Sequence, residues 1–263
     1  MSEKVAVITG ASSGIGAALA RQLGSKNHKL VLASRREAEL KRIASQTSAD
    51  AICVPTDVNR RGDVESLRDA AIEKYGHVDI WVNNAGRGIT RSVIDLSDQE
   101  FDGILDVVLK SVFYGMQVII PHFQKREHGH LVNVSSFLGR VPLLPYRSIY
   151  SASKSAVNTL TACLRMDMRA KYPDIHVSTV MPGVVDTDFH RIAGPGLQVR
   201  AGGSLGPTRV ESADEVAAKI VSLLEHPVAE MYTGTSQSDM VRRYFENVDL
   251  FEENMASRNA GPR

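Results

Sequence analysis

The sequence predicts an α/β fold in which a doubly wound parallel sheet is covered by helices on both faces. Short apolar runs alternate with helical stretches along the chain, and this alternation implies right-handed crossovers between parallel strands. Several runs are apolar at nearly every position, as expected for strands buried on both sides. A length of 263 residues suits one large domain. We therefore expect a single domain over residues 1–263.

Six apolar runs are predicted as the strands of this sheet. They cover residues 5–9, 29–33, 51–54, 79–83, 130–135 and 176–181. Their aliphatic, β-branched composition is typical of buried strands. Helices are expected in the intervals that follow Gly14, Glu37, Asp63, Asp98, Tyr150 and Ser212.

Two stretches depart from this alternation. Residues from about 183 to about 210 show little periodicity and contain the glycine-rich pieces 194–196 and 202–203. Loops of this length are uncommon in compact domains and often serve as lids, so we expect a substrate loop here. The alternative is a disordered surface loop that does not contact the substrate. From about residue 240 to residue 263 we predict a charged, helical tail.

Composition argues against several classes of partner. A net charge of +1 gives no reason to expect nucleic acid or an anionic membrane. No run of about 18 apolar residues predicts a membrane-spanning helix, and a strand from residue 5 leaves no room for a signal peptide. The two cysteines, Cys53 and Cys163, suit a reducing compartment, so we expect a cytoplasmic protein. His128 and His130 lack further ligands at metal-site spacing, and we predict no metal.

A glycine-rich turn joins the first strand to the first helix. Gly10, Gly14 and Gly16 allow the backbone to turn sharply and to approach a ligand closely. The helix that follows offers free N–H groups and the positive end of its dipole to a diphosphate. Ser12 and Ser13 can add hydroxyl donors. The strand–turn–helix context therefore predicts a dinucleotide site of the Rossmann fold.

The end of the second strand indicates which dinucleotide binds. In such folds an acidic residue about 20 positions after the glycines binds the adenine ribose. Here the strand ends in Ser34, Arg35 and Arg36, and the first acid is Glu37. Guanidinium groups bind a 2′-phosphate well. We predict NADP(H), with Arg35 as the main contact and Ser34 or Arg36 assisting. An NAD-linked protein in which both arginines face solvent is the alternative.

Further motifs follow in order along the chain. They are Asp57-Val58, Asn83-Asn-Ala-Gly86, Ser135-Ser136 and Tyr150-Ser-Ala-Ser-Lys154. Together with the glycine turn, this set closely resembles the short-chain dehydrogenase/reductase family in its short single-domain branch. The resemblance extends from about residue 4 to about residue 190.

The resemblance implies the rest of the cofactor site. In the family pattern, Asn83 anchors the central strands. Asp57 and Val58 are expected to contact the adenine. The nicotinamide carboxamide is expected to be held by Pro182, Gly183 and Thr187. The other residues expected to line the cofactor are Ile15, Asn84, Ala85, Gly86 and Val185.

Tyr150 and Lys154 form the expected catalytic pair. They are four positions apart on a predicted helix, so their side chains share one face. A free tyrosine has a pKa of about 10, and a nearby ammonium favours its phenolate. Tyr150 is then able to give a proton to a carbonyl oxygen and to take it back. The resemblance also implies that Lys154 binds the nicotinamide ribose and that Ser136 donates a hydrogen bond to the substrate oxygen.

The chain departs from the family pattern at two positions near this pair. Ser136 lies fourteen residues before Tyr150, where the family usually has thirteen, and Ser135 is the alternative. Val108 occupies the position of an asparagine that helps to order water beside the lysine. A valine side chain cannot form hydrogen bonds. Either another group or a rearranged helix replaces it, or proton exchange with solvent is slowed.

The expected substrate walls are largely apolar, which indicates a mainly hydrophobic alcohol or ketone. They comprise Phe137, Leu138, Leu143, Leu144, Tyr146, Val184 and Phe189. His190 and Arg191 either contact a polar group of the substrate or face water. The competing hypothesis is a non-catalytic NADP(H)-binding sensor or partner protein on the same fold, for which Val108 is the main argument.

The helices after Asp98 and Tyr150 are candidate surfaces for a homodimer. A homotetramer is the other expectation. The family's glycine-rich C-terminal segment, which often packs in tetramers, is replaced here by the polar run 235–239.

Overall fold

The computed structural model of the chain describes residues 3–189, 204–205 and 208–259. Within these residues the strands in chain order are β1 Val5–Thr9, β2 Lys29–Ser34, β3 Ala51–Pro55, β4 Ile80–Asn83, β5 Gly129–Val134, β6 Ile175–Met181, β7 Val185–Asp186, β8 Ser204–Leu205, β9 Thr208–Arg209, β10 Glu211–Ser212 and β11 Glu230–Tyr232. Seven of them form one sheet in the order β11-β6-β5-β4-β1-β2-β3. Every pair in that sheet is parallel. The doubly wound parallel sheet is therefore confirmed.

Helices cover both faces of the sheet. They are α1 Gly14–Gly24, α2 Glu37–Ser45, α3 Arg61–Tyr75, α4 Asp98–Leu105, α5 Ser111–Arg126, α6 Ser148–Arg169, α7 Ala213–Glu225, α8 Gln237–Glu246 and α9 Val248–Asn259. Alternate residues of β1 point to opposite faces, as the pleat requires. Ile8 belongs to the core formed with α1, α2 and α7, whereas Val7 belongs to the core formed with α3, α5 and α6.

The observed elements differ from the predicted ones mainly at their ends. All six predicted strands are present with their ends shifted by about one residue. The seventh strand of the sheet, β11, was not predicted. Its three residues are only half-buried at the edge of the sheet beside β6, so they lack the apolar run that identifies a central strand. The tail helix starts at Gln237 and is followed by α9 after a break at Asn247.

The predicted substrate loop lies largely outside the described residues, which exclude 190–203 and 206–207. His190 and Arg191 fall within that excluded part. The described beginning of the segment is more regular than expected, because β7 pairs in parallel with β10 through Val185 and Glu211.

One helical stretch in the described part of the chain, Asp98–Arg126, is long and apolar enough to cross a membrane by length and composition. The stretch includes Lys110, Ser111 and Gln117 and is not an unbroken apolar run, so it does not contradict the expectation from the sequence. Half of its most apolar window is buried inside the protein, where α5 packs on β4 and β5. Burial of this kind is typical of the core helix of a soluble protein, which passes the same test.

Asparagines in the centre of the sheet fix its carboxyl edge. Asn83 accepts a hydrogen bond from Trp81 Nε1 at 2.8 Å and donates to Asn133 Oδ1 on β5 at 2.8 Å. Asn133 in turn donates to Thr161 Oγ1 on α6 at 3.0 Å. Buried polar groups are stabilising when every partner is satisfied. This chain of bonds ties β4, β5 and α6 together, as the family resemblance implied for Asn83.

Candidate active site

A cavity of about 640 Å³ opens at the carboxyl edge of the sheet. Ligands of open α/β sheets bind at this edge, where the crossovers diverge. With one exception, every residue predicted for the cofactor or for catalysis lines the cavity. These are Gly10, Ser12, Ser13, Gly14, Ile15, Ser34, Arg35, Arg36, Asp57, Val58, Asn84, Ala85, Gly86, Ser136, Tyr150, Lys154, Pro182, Gly183, Val185 and Thr187.

Gly16 is the exception, because it lies beneath the glycine turn and not in the cavity wall. A Cβ at Gly16 would lie 2.5 Å from the carbonyl oxygen of Gly10 and 2.6 Å from Asn84 Nδ2. Gly10 itself has a φ of 67° and faces the backbone of Ala85. Asn84 Nδ2 donates to Thr9 O at 2.9 Å. The turn is thus packed directly against the end of β4, and Gly16 permits that close approach.

The start of α1 and the end of β2 meet at one wall of the cavity. Arg36 Nη2 donates to Ser12 Oγ at 2.9 Å and to Ser13 Oγ at 2.8 Å. No acidic residue lies in the first turn of α1. Arg35, predicted from the sequence as the main phosphate contact, also lines the cavity, but Arg36 is the arginine that reaches the serines. The arrangement suits an anion, since it joins a guanidinium to free helix N–H groups.

Tyr150 lies in the first turn of α6 with its side chain buried. Burial raises the pKa of the phenol to about 12, whereas a hydrogen bond with Ser136 and the charge of Arg147 lower it. From the sequence, the ammonium of Lys154 was expected to lower this pKa. In the structure burial outweighs the lowering causes, and the cation that lowers the pKa is Arg147. A phenol held neutral in this way is a proton donor.

The structure favours Ser136 over Ser135 as the partner of Tyr150. Ser135 Oγ donates to the backbone oxygen of Lys154 at 3.2 Å, so it faces the body of α6. Ser136 forms the bond with Tyr150 and also accepts from the backbone N–H of Leu138 at 3.2 Å. The extra residue between Ser136 and Tyr150 is accommodated in the loop that follows β5.

Lys154 is buried on the same face of α6 as Tyr150. Its Nζ lies 5.8 Å from the centre of the Tyr150 ring and donates to Val134 O at 2.7 Å. Burial lowers the pKa of Lys154 to about 8. The bond to the end of β5 fixes the ammonium at the cavity wall, one helical turn from the phenol.

The helix that carries Val108 is rearranged. Between α4 and α5 the backbone widens to a π-helical turn over Asp106–Lys110, a feature often found near functional sites. Val108 is fully buried and packs in an apolar cluster with Ile104, Ile149 and Tyr150. Ser111 Oγ donates to Val107 O at 2.8 Å. The helix is therefore irregular at Val108, and the proposal that another feature replaces the asparagine in proton exchange stays a prediction.

The other end of the cavity is apolar. All seven residues expected to contact the substrate line the cavity: Phe137, Leu138, Leu143, Leu144, Tyr146, Val184 and Phe189. The Phe189 ring packs edge-on against Tyr150 with centroids 5.4 Å apart. Met255 of α9 also reaches the cavity, which no sequence signal indicated. Arg87 and Arg147 were missed as well, although Arg147 lies three positions before Tyr150 and that spacing could have identified it.

The histidines considered for a metal have other partners. His128 Nε2 lies 3.1 Å from Asp79 Oδ1, and His130 Nε2 lies 2.9 Å from Ser178 Oγ. Burial lowers the pKa of His130 to about 3, so this ring is neutral. Among the described residues no group of three or more His, Cys, Asp or Glu side chains could hold a metal ion.

Comparison with known proteins gives a consistent result. The family model for short chain dehydrogenase matches residues 4–196. An uncharacterised oxidoreductase of Staphylococcus epidermidis is 32% identical over 225 residues, which cover 86% of this chain and 92% of that protein. A short-chain dehydrogenase/reductase of Burkholderia phymatum, solved with NAD, has a TM-score of 0.81 and 29% identity and covers 94% of this chain and 95% of its own.

An alcohol dehydrogenase from the archaeon Thermococcus sibiricus, solved with 5-hydroxy-NADP, has a TM-score of 0.75 and 29% identity. The match covers 89% of this chain and 97% of that one. The fold and the site together define a nucleotide-binding oxidoreductase that uses a nicotinamide cofactor. More specifically, the chain belongs to the short-chain dehydrogenase/reductase family.

Proposed function

We propose that the protein is an NADP(H)-dependent oxidoreductase that interconverts a hydroxyl and a carbonyl group on a mainly apolar small molecule. The observation that carries this proposal is the Tyr150 phenol, which is buried near Ser136 and Lys154 in the same cavity as the glycine turn. Tyr150 acts as the general acid and base. The chain works as a single domain in the cytoplasm.

The cavity wall fits a nicotinamide dinucleotide. Gly10 and Gly14 have the positive φ angles that the turn needs, and Gly16 permits close packing of the turn on the end of β4. The free N–H groups at the start of α1 suit a diphosphate. Asp57 and Val58 line the same cavity and would contact the adenine, and the residues after β6 line it too and would hold the nicotinamide carboxamide.

When it is bound, the nicotinamide supplies or accepts the hydride. In reduction, Ser136 and Tyr150 hold the substrate oxygen, and Tyr150 donates its phenolic proton to that oxygen as negative charge develops. In oxidation, Tyr150 takes the proton back. Lys154 carries a positive charge at neutral pH, because its pKa of about 8 is still above 7. The charge of Arg147 stabilises the phenolate left after proton transfer.

The choice of NADP(H) rests on residues of this chain. β2 ends without an acidic residue, so nothing there repels a 2′-phosphate. Arg36 is held by the hydroxyls of Ser12 and Ser13, and Arg35 lies beside it in the wall. Two guanidinium groups at this position support binding of a doubly charged phosphate.

Cofactor titration tests this choice. We expect NADPH to bind more tightly than NADH. Arg36→Ala should weaken NADPH binding roughly 10- to 100-fold, as loss of a charge-assisted hydrogen bond implies, and leave NADH binding nearly unchanged. Arg35→Ala in parallel shows how the two arginines share the phosphate. Tighter binding of NADH by the unaltered protein contradicts the proposal and supports an NAD-linked relative.

The catalytic role of Tyr150 is tested by Tyr150→Phe. This change removes the proton and keeps the ring, so kcat should fall at least about 100-fold while the Kd for NADPH stays within about twofold. Loss of NADPH absorbance with a panel of aldehydes and ketones is the measurement. Tyr172→Phe, outside the cavity, is the matched control. Equal activity of Tyr150→Phe and the unaltered protein contradicts the assignment.

The non-catalytic sensor is retained as the second candidate because Val108 is buried at the family's asparagine position. Tight NADPH binding without turnover of any carbonyl in the panel supports it. Val108→Asn distinguishes the two cases, since a gain of turnover in that variant shows that only the proton supply was missing.

We also propose that the protein forms a homodimer through α5 and α6, with a homotetramer as the alternative. Large apolar side chains are exposed on these helices, with Phe113 37% exposed, Leu160 39% and Met166 65%. Sedimentation equilibrium of the protein and of Met166→Glu tests this surface. A monomer at micromolar concentration contradicts the proposal.

A further inference from the structure

Arg147 is a buried arginine in the wall of the substrate end of the cavity. It immediately precedes α6, and its residue is only 3% exposed. No carboxylate among the residues that the structure describes forms an ion pair with it. Buried arginines are rare without a partner, because the loss of hydration costs several kcal/mol.

The loop after β4 is built around this side chain. Arg147 Nη1 donates to Ile89 O at 3.1 Å. A Cβ at Gly88 would lie 2.4 Å from Nη1 and 2.8 Å from the Phe189 ring, so glycine leaves the space that the guanidinium and the ring occupy. The guanidinium carbon lies 5.9 Å from the centre of the Phe189 ring. The side chain is thus held in one position.

The guanidinium has more donors than the described residues around it use. It carries five N–H groups, and within the described part of the chain its side-chain hydrogen bond is the one to Ile89 O. Burial lowers the pKa of Arg147, and the hydroxyls of Tyr150 and Tyr146 oppose that shift, but a guanidinium remains charged in proteins. The remaining donors are therefore available to an anion that enters the cavity.

The position of Arg147 relative to Tyr150 limits where that anion lies. Phe189 contacts both side chains, edge-on at Tyr150 and beside the guanidinium. Both residues belong to the first turn of α6 and its cap, on the same side of the cavity. An anionic group at Arg147 and an oxygen at Tyr150 are consequently close enough to belong to one small molecule.

We propose that Arg147 binds a carboxylate of the substrate, so that the substrate is an oxo acid or hydroxy acid with an apolar remainder. The inference rests on the proposed function and narrows it. A planar guanidinium with two parallel N–H groups matches a carboxylate. The apolar walls Leu138, Leu143 and Leu144 receive the rest of the molecule.

Binding of two matched probes to the NADPH-loaded protein tests the inference without turnover. Benzoate and benzamide have nearly the same shape and differ in charge. We expect benzoate to bind roughly 10- to 100-fold more tightly, as a charge-assisted hydrogen bond implies. Arg147→Gln should abolish this preference and Arg147→Lys should keep part of it. Arg91→Gln, in the same loop with its side chain paired to Glu100, should keep it fully.

The unaltered protein already gives a decisive outcome. No preference for benzoate over benzamide overturns the inference, whether or not any variant folds. A preference that persists in Arg147→Gln overturns it too. If Arg147→Gln does not fold, Gly88→Ala is the second variant, because the added Cβ displaces the guanidinium, and it too should lose the preference.

Turnover separates a substrate contact from an effect on Tyr150 alone. Benzoylformate and its methyl ester are compared by kcat/KM with NADPH over pH 6 to 10. We expect Arg147→Gln to lower kcat/KM for the acid at least about tenfold more than for the ester. An equal fall for both, with a shifted pH profile, overturns the inference. If neither compound nor any carbonyl is reduced while benzoate remains preferred, the proposed function fails and the anion site stands.

Discussion

Burial shifts the pKa values of Tyr150 and Lys154, the two proposed catalytic side chains, in opposite directions. It raises the pKa of Tyr150 to about 12 and lowers that of Lys154 to about 8. Both shifts favour the neutral form, because a low-dielectric site penalises charge of either sign. The phenol therefore keeps its proton at neutral pH, which is the form needed to reduce a carbonyl. Oxidation requires extra stabilisation of the phenolate, and the nearby cations provide it.

The lowered pKa of Lys154 makes a prediction about stability. The pKa of Lys154 is 10.5 in the unfolded chain and about 8 in the folded protein, so the unfolded chain takes up the proton first as the pH falls. The folded state is therefore most favoured above pH 10.5 and loses that advantage as the pH falls through about 8. Lys154→Met cannot take up the proton. The free energy of unfolding of the variant minus that of the unaltered protein should therefore be about 2 to 3 kcal/mol larger at pH 7 than at pH 10. Urea unfolding at both pH values measures the change.

Lys171→Met provides the control for this experiment, because Lys171 is exposed. It should show the same difference from the unaltered protein at pH 7 and at pH 10. A pH-independent difference for Lys154→Met as well would mean that another group stabilises the buried ammonium and that its pKa is not lowered.

At the residue scale, the sequence predicted which motifs form the site but not the direction of neighbouring side chains. Ser135 and Ser136 are adjacent, and so are Arg35 and Arg36. Both members of each pair line the cavity, and which of them reaches the neighbouring site residues depends on the backbone where a strand ends. Arg36 reaches the serines of the turn, and no pattern in the sequence distinguishes it from Arg35.

At the element scale, the glycine turn works because three backbone segments approach closely. Gly16→Ala would place a Cβ 2.5 Å from the carbonyl oxygen of Gly10. Since that atom belongs to the backbone, the turn must shift. We expect a loss of roughly 1–3 kcal/mol in the free energy of unfolding and at least about tenfold weaker NADPH binding. Urea unfolding and fluorescence titration measure the two effects.

Gly62→Ala is the matched control for the turn. Gly62 lies inside α3, and a Cβ there would meet nothing within 4 Å. This change should stabilise the protein by about 0.4–1 kcal/mol, because alanine restricts the unfolded chain, and it should leave NADPH binding unchanged. If both glycine variants bind NADPH normally, the close packing of the turn is not needed for the cofactor.

Strands buried on both sides were predictable because they are apolar at nearly every position, whereas β11 was not. Its residues Glu230–Tyr232 are half-buried, and β11 is held by pairing with β6. The π-helical turn was also beyond prediction, since Asp106–Lys110 reads as ordinary helix. Val108, in the middle of this turn, packs with Ile149 and Tyr150 of α6, a contact that the local sequence does not indicate.

At the scale of the whole molecule, the C-terminal helices close the substrate end of the cavity. Phe251 and Met255 of α9 pack in one apolar cluster with Leu143 and Leu144. Removing residues 248–263 takes away this wall. We expect the KM of an apolar substrate to rise roughly tenfold, because the substrate then buries less apolar surface, while the Kd for NADPH stays unchanged. Steady-state kinetics and cofactor titration measure the two constants.

Leu250→Ala is the control for the shortened chain, because Leu250 lies on α9 but is 55% exposed. Its KM should match that of the unaltered protein. An unchanged KM in the shortened chain would show that α9 does not touch the bound substrate.

The placement of Met255 affects what can be learned from relatives. The match to the family model ends at residue 196, and this wall of the substrate end comes from a helix some fifty residues later. We therefore expect the nucleotide site and part of the substrate wall to be encoded in separate stretches of the chain. A chimera that exchanges residues 237–259 between two relatives should transfer substrate range without altering the preferred nucleotide. That result would assign part of the choice of substrate to the tail, and the choice of nucleotide to the residues that match the family model.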